Sequence, residues 1–213
     1  MSASNESQAR KPQSVPQTYL LAYNVLCAAV WLRVLTGVIS ELISSGRSTD
    51  VYASLEPWTR YAQTLAAAEV LHAIFGITRS PVFTTFTQAF ARSTQVWAVN
   101  YAFPQTTSVS YAYPAMILAW SMADVVRYSY FAAMLAGKTN SGALRWLRYS
   151  LFVVLYPVGI STEWWLMYKS TTVTDSNALI ALYYFFLALY GPGSVMMYKY
   201  MLKQRRKVLA RAN

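Results

Sequence analysis

Tyr156 and Glu163 are the residues best suited to chemistry: a phenol and a carboxylate seven positions apart, in a run otherwise apolar enough to lie within a lipid bilayer. An isolated carboxylate at membrane depth costs roughly 3 kcal/mol or more, so it faces a protein interior and a polar partner. Seven helical steps of about 100° bring the two side chains to one face, about 10 Å apart along the axis. A small polar substrate group fits between them. Such a pair supports proton transfer, with one group accepting a proton while the other supplies one. Pro157 and Gly159 lie between the two, and a proline removes a backbone hydrogen bond, so the helix is expected to kink there and free carbonyls for water or a substrate hydroxyl.

Other charges fall inside the apolar runs. Asp124 and Arg127 stand three apart and can neutralise each other on one helix face, either as a structural pair or in contact with substrate. Glu69 and His72 repeat that spacing, as a structural pair or as a site that holds a proton. Arg33 and Arg92 have no partner in sequence. Arg92 either meets Glu69 or another acid across the bundle, or both arginines extend to lipid phosphates. The spacing from Cys27 to Arg33 matches a phosphatase signature, but that chemistry needs a loop of free backbone N–H groups, and this segment is apolar and helical. Phosphatase activity is therefore rejected. The aromatic runs Trp164-Trp165 and Tyr183-Tyr184-Phe185-Phe186 read as packing or interfacial belts.

The elements that must position these groups follow from composition. Of 213 residues, 55% are hydrophobic and 12% charged, against about 25% charged in soluble domains. This is an integral membrane protein, expected as an all-α bundle of six transmembrane helices near 19–43, 61–78, 83–103, 111–136, 144–168 and 178–198. The third span carries Arg92, Gln88 and Gln95 and must be covered by its neighbours. Arg10, Lys11, Arg79, Lys138, Arg145, Arg148, Lys203, Arg205, Arg206, Lys207 and Arg211 fall on one side, against Arg47, Arg60 and Lys169 on the other. Both termini are therefore expected to be cytoplasmic. The net charge of +10 reflects this topology rather than nucleic-acid binding.

Residues 1–17 read as a disordered cytoplasmic tail without the pattern of a cleaved signal peptide, 18–202 as the transmembrane catalytic domain, and 203–213 as a basic cytoplasmic tail. One cysteine and one histidine leave no disulfide framework and no usual metal ligand set, so no metal is expected. The glycines form no phosphate-cradling pattern, so no cofactor is expected either.

In order along the chain, Tyr19-Leu20-x-x-Tyr23-Asn24 with Trp31, Glu69-x-x-His72-x-x-x-Gly76 followed by Thr87-Gln88 and Arg92, Trp120-Ser121 with Arg127-Tyr128, and Trp146-x-Arg148-Tyr149 leading to Leu155-Tyr156-Pro157-x-Gly159-x-x-x-Glu163 form an extended pattern. It resembles the very-long-chain (3R)-3-hydroxyacyl-CoA dehydratase family, also called protein-tyrosine-phosphatase-like, and covers about residues 19–207. Two positions depart from it: Asp124 where the family usually has Glu, and Ala91 where Ser is frequent. Both bear on packing or chain-length preference rather than on the catalytic pair.

The resemblance implies a six-span endoplasmic reticulum membrane protein that removes water from a long-chain (3R)-3-hydroxyacyl-CoA to give the trans-2-enoyl-CoA, the third step of fatty acid elongation. Tyr156 and Glu163 are its implied catalytic residues. The implied partners are the condensing enzyme, the ketoacyl-CoA reductase and the enoyl-CoA reductase. Elimination needs a base for the proton beside the thioester carbonyl and an acid for the departing hydroxyl. Glu163 as base with Tyr156 as donor, and the reverse, both satisfy this. Lys138, Arg145 and Arg148 either hold the phosphates of the coenzyme A head or set topology only. The rival readings are a non-enzymatic scaffold of the elongation enzymes and a small membrane transporter. A transporter is disfavoured, because no two-fold repeat surrounds the interrupted fifth and sixth spans.

Overall fold

The computed structural model describes residues 17–138 and 142–210; of the expected tail at 1–17, residues 1–16 lie outside the described residues, as do the last three residues of the chain, while Gln17 opens the first helix. Helices α1 (Gln17–Ser44), α2 (Ser48–Ala66), α3 (Ala68–Ile74) and α4 (Val82–Ser93) are followed by a π-helix (Thr94–Tyr101). The chain continues through α5 (Pro104–Thr107), α6 (Ala112–Leu135), α7 (Gly142–Ser150), α8 (Phe152–Thr171) and α9 (Asn177–Ala210). No strand occurs among the described residues. The fold is all-α, and α1, the α7–α8 pair and α9 are each long and apolar enough to cross a membrane.

Helical periodicity in the sequence builds the core. Along α1, Tyr23, Cys27, Trp31, Val34 and Val38 are buried in steps of three and four, a single stripe. It faces α6, whose Tyr113, Ile117, Trp120, Asp124 and Tyr128 repeat that period. Successive helices run in opposite directions. Tyr23 of α1 donates to the Leu65 carbonyl near the end of α2 at 3.2 Å, while Glu41 at the far end of α1 accepts from Ser54 at 2.7 Å. The chain order α1, α2–α3, α4–π, α6, α7–α8, α9 thus zigzags, with Gln17 bonded to the Leu135 carbonyl at one end and Ser48 to the Ser110 carbonyl at the other.

Two glycines are required by position. A Cβ on Gly37 would lie 2.6 Å from both Arg33 Nη1 and Leu55 Cδ2, so glycine sets how closely α1 and α2 approach. Gly137 has φ of 73° and closes α6 with the Lys138 N–H bonded to the Ala133 carbonyl at 2.8 Å, a left-handed end that favours glycine.

Several element boundaries differ from expectation. The second helix starts at Ser48 rather than residue 61, because Val51, Leu55, Thr59 and Ala62 form a buried face along a polar segment whose Glu56 and Arg60 pair at 3.2 Å. Its low hydropathy hid this extension. The third expected span divides into α4 and the π-helix, where the Gln95 side chain reaches Asn100 at 3.2 Å across the wider turn. The fifth is interrupted at Leu151, ahead of Pro157. Pro157 still leaves the Val153 carbonyl without its helical donor, and the Tyr198 hydroxyl of α9 approaches that oxygen at 3.4 Å. The sixth runs on to Ala210, so the described part of the expected basic tail is helical.

Candidate active site

Three helices position Glu163. It lies on the buried face of α8, with Gly159 one turn earlier packed beside Trp120 of α6. A Cβ at Gly159 would come within 3.6 Å of Glu163 Oε1 and 3.7 Å of the Trp120 ring. The Trp120 indole donates to Glu163 Oε1 at 2.8 Å, and the Tyr190 hydroxyl of α9 donates to Oε2 at 3.1 Å. An indole N–H has no acceptor capacity, so Oε1 must be an acceptor. The carboxylate is therefore held by neutral donors.

Tyr156 lies two turns earlier on α8, half-buried, with its ring stacked against Tyr198 of α9 at 6.1 Å between centroids. It is within electrostatic reach of Glu163, and Tyr190 is in reach of both. The structure thus brings both sequence-derived candidates to the α8–α9 side of the site, with Tyr190 beside them.

The remaining charges form a ladder across the bundle. Arg92 at the end of α4 pairs with Asp124 at 2.7 Å and lies over the Trp120 ring at 4.1 Å. Arg127 bonds Asp124 at 2.9 Å and Glu69 of α3 at 2.8 Å, and Tyr128 donates to Glu69. The Asp124–Arg127 pair read from spacing is present. Arg92 meets an acid across the bundle as one reading held, and that acid is Asp124. Glu69 turns to Arg127 rather than to His72, whose ring instead bonds the Tyr19 hydroxyl at 2.9 Å. Arg33 lies over the Trp58 ring at 5.3 Å, and Cys27 is buried within α1. A recess of about 370 Å³ lined by Arg33, Ser40, Glu41, Ser54 and others is remote from Glu163. Among the described residues, no three His, Cys, Asp or Glu side chains gather as a metal site.

The family model described as "Protein tyrosine phosphatase-like protein, PTPLA" matches residues 63–211, which include every residue of the Glu163 site and of the ladder. The chain belongs to this family. It is 38% identical, over 91% of its length and 94% of the relative, to the Schizosaccharomyces pombe "Probable very-long-chain (3R)-3-hydroxyacyl-CoA dehydratase". To the Oryza sativa subsp. japonica "Very-long-chain (3R)-3-hydroxyacyl-CoA dehydratase PASTICCINO 2A" it is 36% identical, over 93% of the chain and 96% of the relative. To the Homo sapiens "Very-long-chain (3R)-3-hydroxyacyl-CoA dehydratase 2" it is 31% identical, over 90% and 81%. No solved structure matches.

Within this PTPLA-family chain, sequence reasoning missed two of the groups around Glu163. Tyr190 was one tyrosine among 17; its one distinguishing signal is its place immediately before Gly191-Pro192-Gly193, where α9 was already expected to be interrupted. Trp120 appeared in the family pattern without a role. A buried carboxylate needs donors, and an indole N–H donates a hydrogen bond without carrying a charge.

Proposed function

We propose that this chain dehydrates long-chain (3R)-3-hydroxyacyl-CoA to trans-2-enoyl-CoA, with Glu163 as base and Tyr156 as acid. The names of its relatives across fungi, plants, worm and human support the activity. The observation that carries the residue roles is the Glu163 carboxylate held by Trp120 and Tyr190. Two donors orient it as an acceptor, which suits removal of the proton from C2. The electron pair of that C–H bond forms the C2–C3 double bond, the C3–O bond breaks, and Tyr156 supplies the proton that lets the hydroxyl leave as water. Glu163 then holds one proton and Tyr156 lacks one. Tyr190, in reach of both, offers a hydroxyl through which the proton returns.

The same reading takes the six passes of the chain as six membrane spans in the endoplasmic reticulum, with the basic end and both termini cytoplasmic. The chain then works beside the condensing enzyme and the two reductases of the elongation cycle. The polar α2–α3 pass packs against α1 and α6, and the α4–π pass is tied to α6 through Arg92 and Asp124. Purified protein in detergent, supplied with 3-hydroxyacyl-CoA alone, should release the 2-enoyl product, followed by mass spectrometry. Folded protein without turnover would reduce the chain to a scaffold.

A further inference from the structure

The geometry points to a diphosphate-binding subsite for the coenzyme A head on the α6-facing side of α7, built on Arg148 and Arg145. This rests on the dehydratase reading and assigns residues to the part of the substrate farthest from the chemistry.

Arg148, unlike Arg60, Arg92 and Arg127, is an arginine at the bundle's interior that pairs with no carboxylate among the described residues. Its Nε atom is buried without a hydrogen-bond acceptor. The guanidinium is flanked by the rings of Phe131 on α6 and Tyr149, at 5.9 and 5.7 Å. It lies within electrostatic reach of Arg127 and Asp124. Asp124, however, is already engaged by two arginines, at 2.7 and 2.9 Å, and Glu69 is engaged by Arg127. Among the described residues no carboxylate pairs with Arg148. A largely enclosed guanidinium with no anion is costly, and its planar fork matches phosphate oxygens two at a time.

The surroundings favour an anion. Arg145 stands three residues before Arg148 and shares its helix face. Arg205 of α9 is fixed beside α7 by its 3.1 Å bond to Ser150. The described carboxylates outside the ladder and Glu163 are Glu41, Asp50, Glu56 and Asp175, all toward the opposite end of the bundle. Along the α7–α8 pair, Arg148 precedes Tyr156 by eight residues, about 12 Å, and Arg145 precedes it by eleven, about 16 Å. A pantetheine arm, which separates the thioester from the diphosphate, spans a separation of this order.

Phosphate chemistry also belongs to lipid headgroups, and the test separates the two sources. The full chain in a neutral detergent is assayed on one 3-hydroxyacyl chain carried either by coenzyme A or by N-acetylcysteamine, which has the thioester but no phosphate. In Arg148→Gln the ratio of kcat/KM for the coenzyme A substrate to that for the short thioester should fall by about 10- to 100-fold, mainly through KM. Arg145→Gln should move it the same way by less. Arg148→Lys, which keeps the charge and loses the fork, gives the same readout where Arg148→Gln fails to fold. An unchanged ratio overturns the subsite, including the outcome in which only stabilisation by anionic lipid is lost. Calorimetric binding of coenzyme A to the parent and to Arg145→Gln decides the subsite even where neither thioester turns over, an outcome that would sink the dehydratase reading alone.

Discussion

Glu69 and Asp124 on the one hand, and Glu163 on the other, are carboxylates in the same helical bundle held in opposite ways. The first two meet guanidinium groups at 2.7 to 2.9 Å, whereas Glu163 meets an indole and a phenol. An ion pair fixes charge and shape, and breaking it strands the partner, so such a carboxylate is committed to structure. A carboxylate held by neutral donors is oriented without being tied to a cation and remains free to exchange a proton. On the proposed reading, the difference separates scaffold from chemistry within one cluster. Arg92 joins the two regions by pairing with Asp124 while lying over the Trp120 ring that holds Glu163.

The comparison breaks most visibly at its two centres. Glu163→Gln keeps the shape and removes the base, so kcat should fall by about a thousandfold with the melting temperature close to the parent; an equal loss of stability would erase the distinction. Arg127→Gln should do the opposite. It leaves Glu69 and Asp124 short of a cation, at a cost of about 3–5 kcal/mol in stability, seen in thermal or denaturant unfolding, while activity per folded molecule changes much less. Trp120→Phe and Tyr190→Phe each remove one donor from Glu163 and should lower kcat by about tenfold, the scale of one buried hydrogen bond. Gly159→Ala sharpens the comparison at its smallest scale. Its new methyl meets Glu163 and Trp120 at ordinary contact distances of 3.6 to 3.7 Å. The expected effect is therefore a loss of less than about 1 kcal/mol in stability and at most a few-fold in rate, measured on the same preparations.

Sequence periodicity was informative where a single helix carries both partners. The three-residue step from Asp124 to Arg127 was legible, since helical geometry fixes intrahelical neighbours, while the seven-residue step from Tyr156 to Glu163 brings the two within electrostatic reach without a direct bond. It was silent where partners come from different helices. Nothing in the chain around Arg92 names Asp124, and nothing around Glu163 names Tyr190, because those contacts depend on how α4, α6, α8 and α9 pack. Glu69 shows the hazard of the local rule: its intrahelical neighbour His72 lost to Arg127, whose fork offers two donors to one carboxylate. The early start of α2 was hidden for a related reason. A helix that shelters polar residues against protein rather than lipid has no hydropathy signature, so Ser48 to Arg60 read as a connection.

The central claim is that Tyr156 and Glu163 act as one unit on one substrate. The most direct test compares the turnover of 3-hydroxyacyl-CoA by Tyr156→Phe, by Glu163→Gln and by the double variant, all shown to be folded. The account predicts a loss of about a thousandfold in each single variant and scarcely more in the double, since removing either partner already disables the pair. Full activity in either single variant, or losses that multiply in the double, would contradict it.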